Sequence, residues 1–233
     1  MPGHANPDAD YDAYLDAEWL LFTSDQSRQQ APLDATAGLE IHRVLDVGCG
    51  GGQDMIPFAR QGATCTGVDL APESGVLGRR LLARHAPGMP IRFVTSSAEY
   101  LPFTAGAFDV VVCRVVIPYT DNRRALGEMS RVLRPGGILL LKTHNLPYYT
   151  RKFVDGIKRG SPLFSVHAAR VLLSGGIFYL TGRQPRGGLL LRESFLTEGL
   201  LRRLLAGERL SIEAELPDSN ALAKSYRIVK RPQ

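Results

Sequence analysis

The stretch Val44-Leu45-Asp46-Val47-Gly48-Cys49-Gly50-Gly51-Gly52-Gln53-Asp54 decides how this chain is read. An apolar run ends at an acid and a valine, four glycines follow within five residues, and a helix-compatible segment begins. A loop of this kind, leaving a strand and entering a helix, lets backbone N–H groups approach a ligand because no Cβ stands in the way. Asp69 lies 21 residues after Gly48, at the end of the next apolar run, where a carboxylate can accept both hydroxyls of a ribose. Two details count against a nicotinamide dinucleotide. Its fingerprint places a third glycine where this chain has Gln53, and Asp46 would repel a pyrophosphate but suit a cation.

Outward from that loop, apolar runs alternate with helical patterns. Strands are expected over residues 43–47, 63–70, 91–95, 108–114 and 138–143, and helices over 54–61, 75–85 and 122–133. The strands are apolar throughout rather than at every second residue, as in a parallel sheet covered on both faces. A helix over 196–206 and strands over 210–215 and 226–230 complete the sheet, the last two joined by a short loop with Pro217 and Asp218. The expected architecture is α/β: a doubly wound, seven-stranded sheet, mostly parallel with an antiparallel last strand. Residues 1–40 read as a helical cap, with Tyr11, Tyr14, Leu15, Trp19 and Phe22 at helical spacing. Residues 41–145 form the core and 194–233 its completion. Residues 146–193, too long for an ordinary connection, read as an inserted lid between strands five and six.

A ligand with a ribose, a positive charge and no phosphate is S-adenosylmethionine. Residues 44–53 with Asp69 resemble the class I S-adenosylmethionine-dependent methyltransferases, in the group similar to small-molecule and lipid-quinone methyltransferases. Three further stretches carry the resemblance: Ser97-Ala98-Glu99-Tyr100-Leu101-Pro102-Phe103, Phe108-Asp109-Val110-Val111-Val112-Cys113-Arg114, and residues 128–137 ending Arg134-Pro135-Gly136-Gly137. It covers roughly residues 40–145 and resumes at 194–230. By position, it implies that Asp46, Gly48, Cys49 and Gly50 hold the methionine end. Asp69 would bind the ribose, Leu70 pack on the adenine, and Ser97 with Ala98 edge the ring. Arg114 would pair with the ligand carboxylate, or else make a surface salt bridge. Ser97 stands where the family often has aspartate, which removes one acceptor for the adenine amino group. Asp109 reads as support for the fold.

Methyl transfer is an in-line displacement at an already activated carbon, so the protein mainly positions the acceptor and excludes water. An oxygen acceptor needs a base. His144, at a strand end and expected to titrate near neutrality, is the leading candidate, with Tyr119, Tyr148 and Tyr149 beside it. A histidine bonded to the loop backbone is the plainer reading. No acidic cluster at metal-ligand spacing is present, so a metal is not expected.

The chain has 233 residues, 44% hydrophobic and 22% charged, which excludes global disorder and fits one domain with an insertion. Cys49, Cys65 and Cys113 form no CxxC pair and read as buried thiols of a reducing compartment. The longest strongly apolar stretch, residues 171–180, is ten residues, short of a membrane span, and the N-terminus lacks a signal pattern, so a cytoplasmic location is expected. Net charge is +5, and residues 146–193 alone carry eight basic and two acidic side chains. With its aromatics, that segment reads first as a lid over a small-molecule acceptor, such as a glycosylated or acidic natural product. A lipid-linked or membrane-surface acceptor, a single-strand nucleic-acid groove and a homodimer interface are the other readings. The scattered cations and the slightly acidic remainder count against nucleic acid. A sensor that binds the S-adenosyl ligand without turnover, and a nicotinamide oxidoreductase, are the rivals from other classes.

Overall fold

The computed structural model describes residues 7–185, 193–218 and 222–232, the side chains of residues 7–12 excepted. Arg186 and Arg192, counted among the insertion's cations, and the side chain of Tyr11 lie outside the described residues.

Seven strands form one sheet: β1 (Arg43–Val47), β2 (Thr64–Asp69), β3 (Ile91–Thr95), β4 (Phe108–Arg114), β5 (Leu133–His144), β6 (Leu210–Leu216) and β7 (Ala223–Lys230). Their spatial order is β3-β2-β1-β4-β5-β7-β6, and only β7 runs antiparallel to its neighbours. The mostly parallel sheet and its antiparallel last strand are as expected. Order reverses between β1 and β4, and the crevice at the carboxyl ends of these strands is where ligands bind in such sheets.

Both faces of the sheet are covered, which is why its strands lack alternation. On β4, Val111 and Cys113 join one core with Leu45, Leu139 and Leu141, while Val110 and Val112 join another with Val44 and Leu140. Helices α5 (Asn122–Val132) and α8 (Glu198–Ala206) cover the first face through Leu126, Met129, Leu201 and Leu204. Helix α3 (Ile56–Arg60) covers the second through Phe58 and Ala59. Truncating one such fully buried leucine to alanine costs about 2–5 kcal/mol. Helix α4 (Pro72–His85) packs Leu77 and Leu81 against α1 (Pro7–Ser24), which buries Leu15, Trp19 and Phe22 as its spacing predicts.

Three elements depart from expectation. A second N-terminal helix, α2 (Gln26–Asp34), forms because the Asp25 carboxylate accepts from the N–H groups of Ser27 and Arg28 and caps it. The helix expected over 54–61 begins as a tight 3-10 turn, Gln53–Met55, before α3. Strand β5 starts at Leu133 rather than 138, running through Pro135 with an irregularity opposite residues 108–110.

Among the described residues of 146–193 the chain folds into two helices, α6 (Leu146–Lys158) and α7 (Pro162–Thr181). They pack closely at Gly156, where a Cβ would lie 2.5 Å from Ser165 Oγ. α7 is anchored by Val171 and Phe178, and Gly175 lies against the Phe195 ring. Its far end is tied to the body by Gln184, which donates to the Thr120 carbonyl (2.7 Å) and accepts from the Asn122 N–H (2.9 Å). The apolar stretch is longer than the ten-residue estimate. α7 has the length and composition to cross a bilayer, because the fold absorbs Ser165, His167 and Ser174 into one continuous helix.

Candidate active site

The glycine loop is held by its neighbours. The N–H groups of Gly48 and Cys49 both donate to the Val68 carbonyl (2.7 and 3.1 Å), locking the loop to β2. Gly48 has φ +72°, and a Cβ there would lie 2.1 Å from Val116 Cγ2, so only glycine fits. The Gly50 N–H donates to Asp69 Oδ2 (2.9 Å), while the Ala71 N–H donates to Asp69 Oδ1 (3.0 Å). Asp69 is thus fixed by one backbone donor per oxygen, and each oxygen keeps a lone pair for a ribose hydroxyl. Leu70, beside it, is 73% exposed, an apolar surface at the position expected to pack on a base.

Asp46 is buried, and its Oδ2 has no hydrogen-bond partner among the described residues. Burial, with the Asp54 and Asp69 carboxylates nearby, holds its pKa well above the usual range against the opposing pull of Arg114. A cation at this point would relieve that cost. Gln53 Oε1 is buried and unpartnered as well. The sulfonium and amino groups of S-adenosylmethionine therefore fit the acceptors present better than a pyrophosphate does.

Arg114 is not a free cation awaiting a ligand. Its Nη1 pairs with Asp54, which leads the causes raising its pKa, so the salt bridge weighed as the alternative is present, made internally with Asp54 rather than at the surface. Asp54 was missed because 60 residues separate the partners. Its only signal is an acid directly after the glycine loop. Cys49 turns its Sγ towards the sheet, 2.6 Å from where a Gly67 Cβ would stand, and presents its backbone to the loop. Ser97 Oγ accepts from the Glu99 N–H (3.2 Å), and Ala98 is buried against the core. Asp109 has the structural role expected: Oδ2 accepts from the N–H groups of His42 and Arg43 (both 2.8 Å) and Oδ1 pairs with Arg134 (2.7 Å).

Around the end of β5 a second group gathers. The His144 ring is buried and stacked on Tyr148, with centroids 3.6 Å apart, and meets Tyr149 edge-on at 6.1 Å. Its Nδ1 and the adjacent Thr143 Oγ1 are buried without hydrogen-bond partners among the described residues. Burial, then the charges of Lys152 and Lys142, lower the His144 pKa to about 4, correcting the expectation of titration near neutrality. Tyr149 donates to Glu193 Oε1 (2.9 Å), and Glu193 Oε2 faces His167 Nε2 (3.1 Å). Burial and the Glu193 charge also raise Tyr148, and push Tyr119 up to about 12. The structure thus brings Tyr119, Tyr148 and Tyr149 within reach of the Glu193 charge, with His144 stacked on Tyr148. Sequence reasoning passed over that acid because it lies 44 residues beyond Tyr149, at the insertion's edge. All three cysteines are buried and free.

A parallel sheet whose order reverses at β1 and β4, a glycine loop locked to β2 and a carboxylate held by two backbone N–H groups at the end of β2 define a doubly wound α/β protein with its crevice at the switch point. Residues 45–141 match the family model described as a methyltransferase domain, and over this span the chain is similar to the class I, S-adenosylmethionine-dependent methyltransferases. The uncharacterized methyltransferase YcgJ of Bacillus subtilis is 36% identical over 107 residues, covering 46% of this chain and 42% of that protein. Its crystal structure superposes with a TM-score of 0.59 at 19% identity, over 90% of this chain and 100% of that one. A ubiquinone biosynthesis O-methyltransferase of Aromatoleum aromaticum is 35% identical over 115 residues, 48% of either chain. The geranyl diphosphate C-methyltransferase of Streptomyces coelicolor, solved with S-adenosyl-L-homocysteine, has a TM-score of 0.62 at 17% identity, over 100% of this chain and 86% of that one. The chain spans about half the length of the curated relatives it matches.

Proposed function

We propose that this chain transfers a methyl group from S-adenosylmethionine to an oxygen or nitrogen of a small-molecule acceptor. The observation that carries the proposal is the set of unpartnered buried polar atoms, Asp46 Oδ2 and Gln53 Oε1 on one side and Thr143 Oγ1 and His144 Nδ1 on the other. A fold that left four such atoms without ligands would forgo roughly 1–3 kcal/mol for each. Bound there, the cofactor supplies an electrophilic methyl carbon. Asp46 faces its positive end, Asp69 holds the ribose, and Leu70 with Ser97 and Ala98 borders the adenine. Arg114 acts through Asp54 as a brace for the loop. Residues 1–40 cap the cofactor side and residues 146–193 cover the acceptor.

His144, neutral above pH 4 to 5, accepts a hydrogen bond from the acceptor through Nδ1 and takes its proton as the new bond forms. With so low a pKa the ring is a weak base and gives that proton up to bulk water as the products leave. Tyr119 lies protonated on the same side and orients the acceptor as a hydrogen-bond donor.

The test is incubation of the protein with methyl-labelled S-adenosylmethionine and fractionated cell extract, with Asp69→Ala as control. Label in a small-molecule fraction that disappears in the variant supports the reading. S-adenosyl-L-homocysteine binding without label in any fraction would replace it with the non-catalytic sensor.

A further inference from the structure

A helix lying on a soluble body turns a polar face outward. α7 does not. Its buried stripe is Ala168, Val171, Ser174, Gly175 and Phe178. About half a turn away, Leu163, Val166, Leu173 and Leu180 stand exposed, Leu163 and Leu180 at 80%. The helix is apolar on both sides, and only 28% of its apolar window is buried. The preceding turn continues the pattern: Ile157 is exposed, followed by Lys158 and Arg159. Residues 157–166 contain two cations, five bulky apolar or aromatic side chains counting Pro162, and no acid. Across residues 146–185 the sole acid is Asp155, already set against Arg151 (3.8 Å). Lys152 lies 5.2 Å from the Phe164 ring, which places a third cation beside the tip.

We propose that the α6–α7 hairpin docks on an anionic lipid surface, its tip at residues 157–166 leading and the outward face of α7 following. Apolar side chains enter the acyl boundary while flanking cations meet lipid phosphates, the arrangement that gives interfacial helices their affinity. Charge complementarity selects this occupant over a second copy. A two-fold contact through the same face would bring together two hairpins that each carry Lys152, Lys158 and Arg159 and, across residues 146–185, the one acid Asp155, so repulsion opposes it. Docking would hold the proposed acceptor cover at a membrane surface. It rests on the hairpin alone and stands or falls separately from turnover.

The test is flotation of the full chain with vesicles of phosphatidylglycerol and phosphatidylcholine, alongside pure phosphatidylcholine. The chain is expected to float with the anionic vesicles, less so as salt rises, and not with the neutral ones. Leu163→Asp with Val166→Asp, both at exposed positions, lowers the bound fraction roughly tenfold or more. Lys158→Glu with Arg159→Glu lowers it by a similar factor on anionic vesicles only. Unchanged thermal stabilisation by S-adenosyl-L-homocysteine shows each variant folded and separates this result from the proposed activity. Wild-type chain left behind by anionic vesicles overturns the proposal, as does flotation unaltered by the aspartates. A dimer abolished by the aspartates, with no flotation, assigns the face to a second copy instead.

Discussion

Trp19 of the first helix donates its indole N–H to the carbonyl of Gly51, 3.2 Å away, and the same ring would collide with any Cβ at position 51. The N-terminal helix is therefore fastened to the glycine loop rather than laid over it. Trp19→Phe keeps most of the apolar volume and removes the bond. It should weaken S-adenosyl-L-homocysteine binding about fivefold, the worth of one hydrogen bond of about 1 kcal/mol. Titration calorimetry checks this. An unchanged affinity would show that the helix does not shape the loop.

Asp69→Ala removes the acceptor of two backbone N–H groups as well as the proposed ribose ligand. Affinity for S-adenosyl-L-homocysteine should fall on the order of a hundredfold or more, from the loss of at least two charge-assisted bonds. Asp69→Asn keeps one acceptor oxygen and should fall less. Equal losses in the two variants would place the effect in the loop's conformation.

Asp109→Ala leaves two backbone donors and Arg134 without their acceptor at the start of β1. Burial would raise the pKa of this carboxyl, but those three donors offset it and lower the pKa. Chemical denaturation should show a loss of about 2–4 kcal/mol. Cofactor affinity measured well below the midpoint should stay unchanged, since the residue lies away from the crevice.

His144 titrates at about 4 in the folded chain against 6.5 for an ordinary imidazole, so the fold favours its neutral form. Its contribution is complete above pH 6.5 and is lost as pH falls from 6.5 towards 4, where the unfolded chain binds the proton first. The loss should reach about 2 kcal/mol, a discounted value for a shift of this size. Denaturation midpoints measured across that window should flatten in His144→Phe. An equally steep decline in the variant would assign the dependence to other groups.

The sheet and the glycine loop were legible because their causes are local. Doubly apolar strands report a sheet covered on both faces, and glycines at Gly48 and Gly52 answer to positive φ. Asp69 was legible by its distance from the loop. The pair Asp54–Arg114 and the bond from Tyr149 to Glu193 were not, since each joins segments that only the finished fold brings together. Helix α2 escaped notice because its stability lies in one capping aspartate rather than in an apolar stripe. The histidine's pKa escaped because position along a strand does not report burial, nor the lysines that face it.

Strand β7 lies between β5 and β6, so β6 has β7 as its single partner in the sheet. At the head of this hairpin Asp218 binds Lys142 of β5 (2.7 Å) and accepts from Ser225 (2.6 Å). Lys142 is also one of the two charges acting on His144. A local opening of the β6–β7 edge would strip Lys142 of its counter-ion while the rest of the sheet stayed intact. The breathing of one outer hairpin, visible as early deuterium uptake at its amides, thus sets how much positive field the histidine feels.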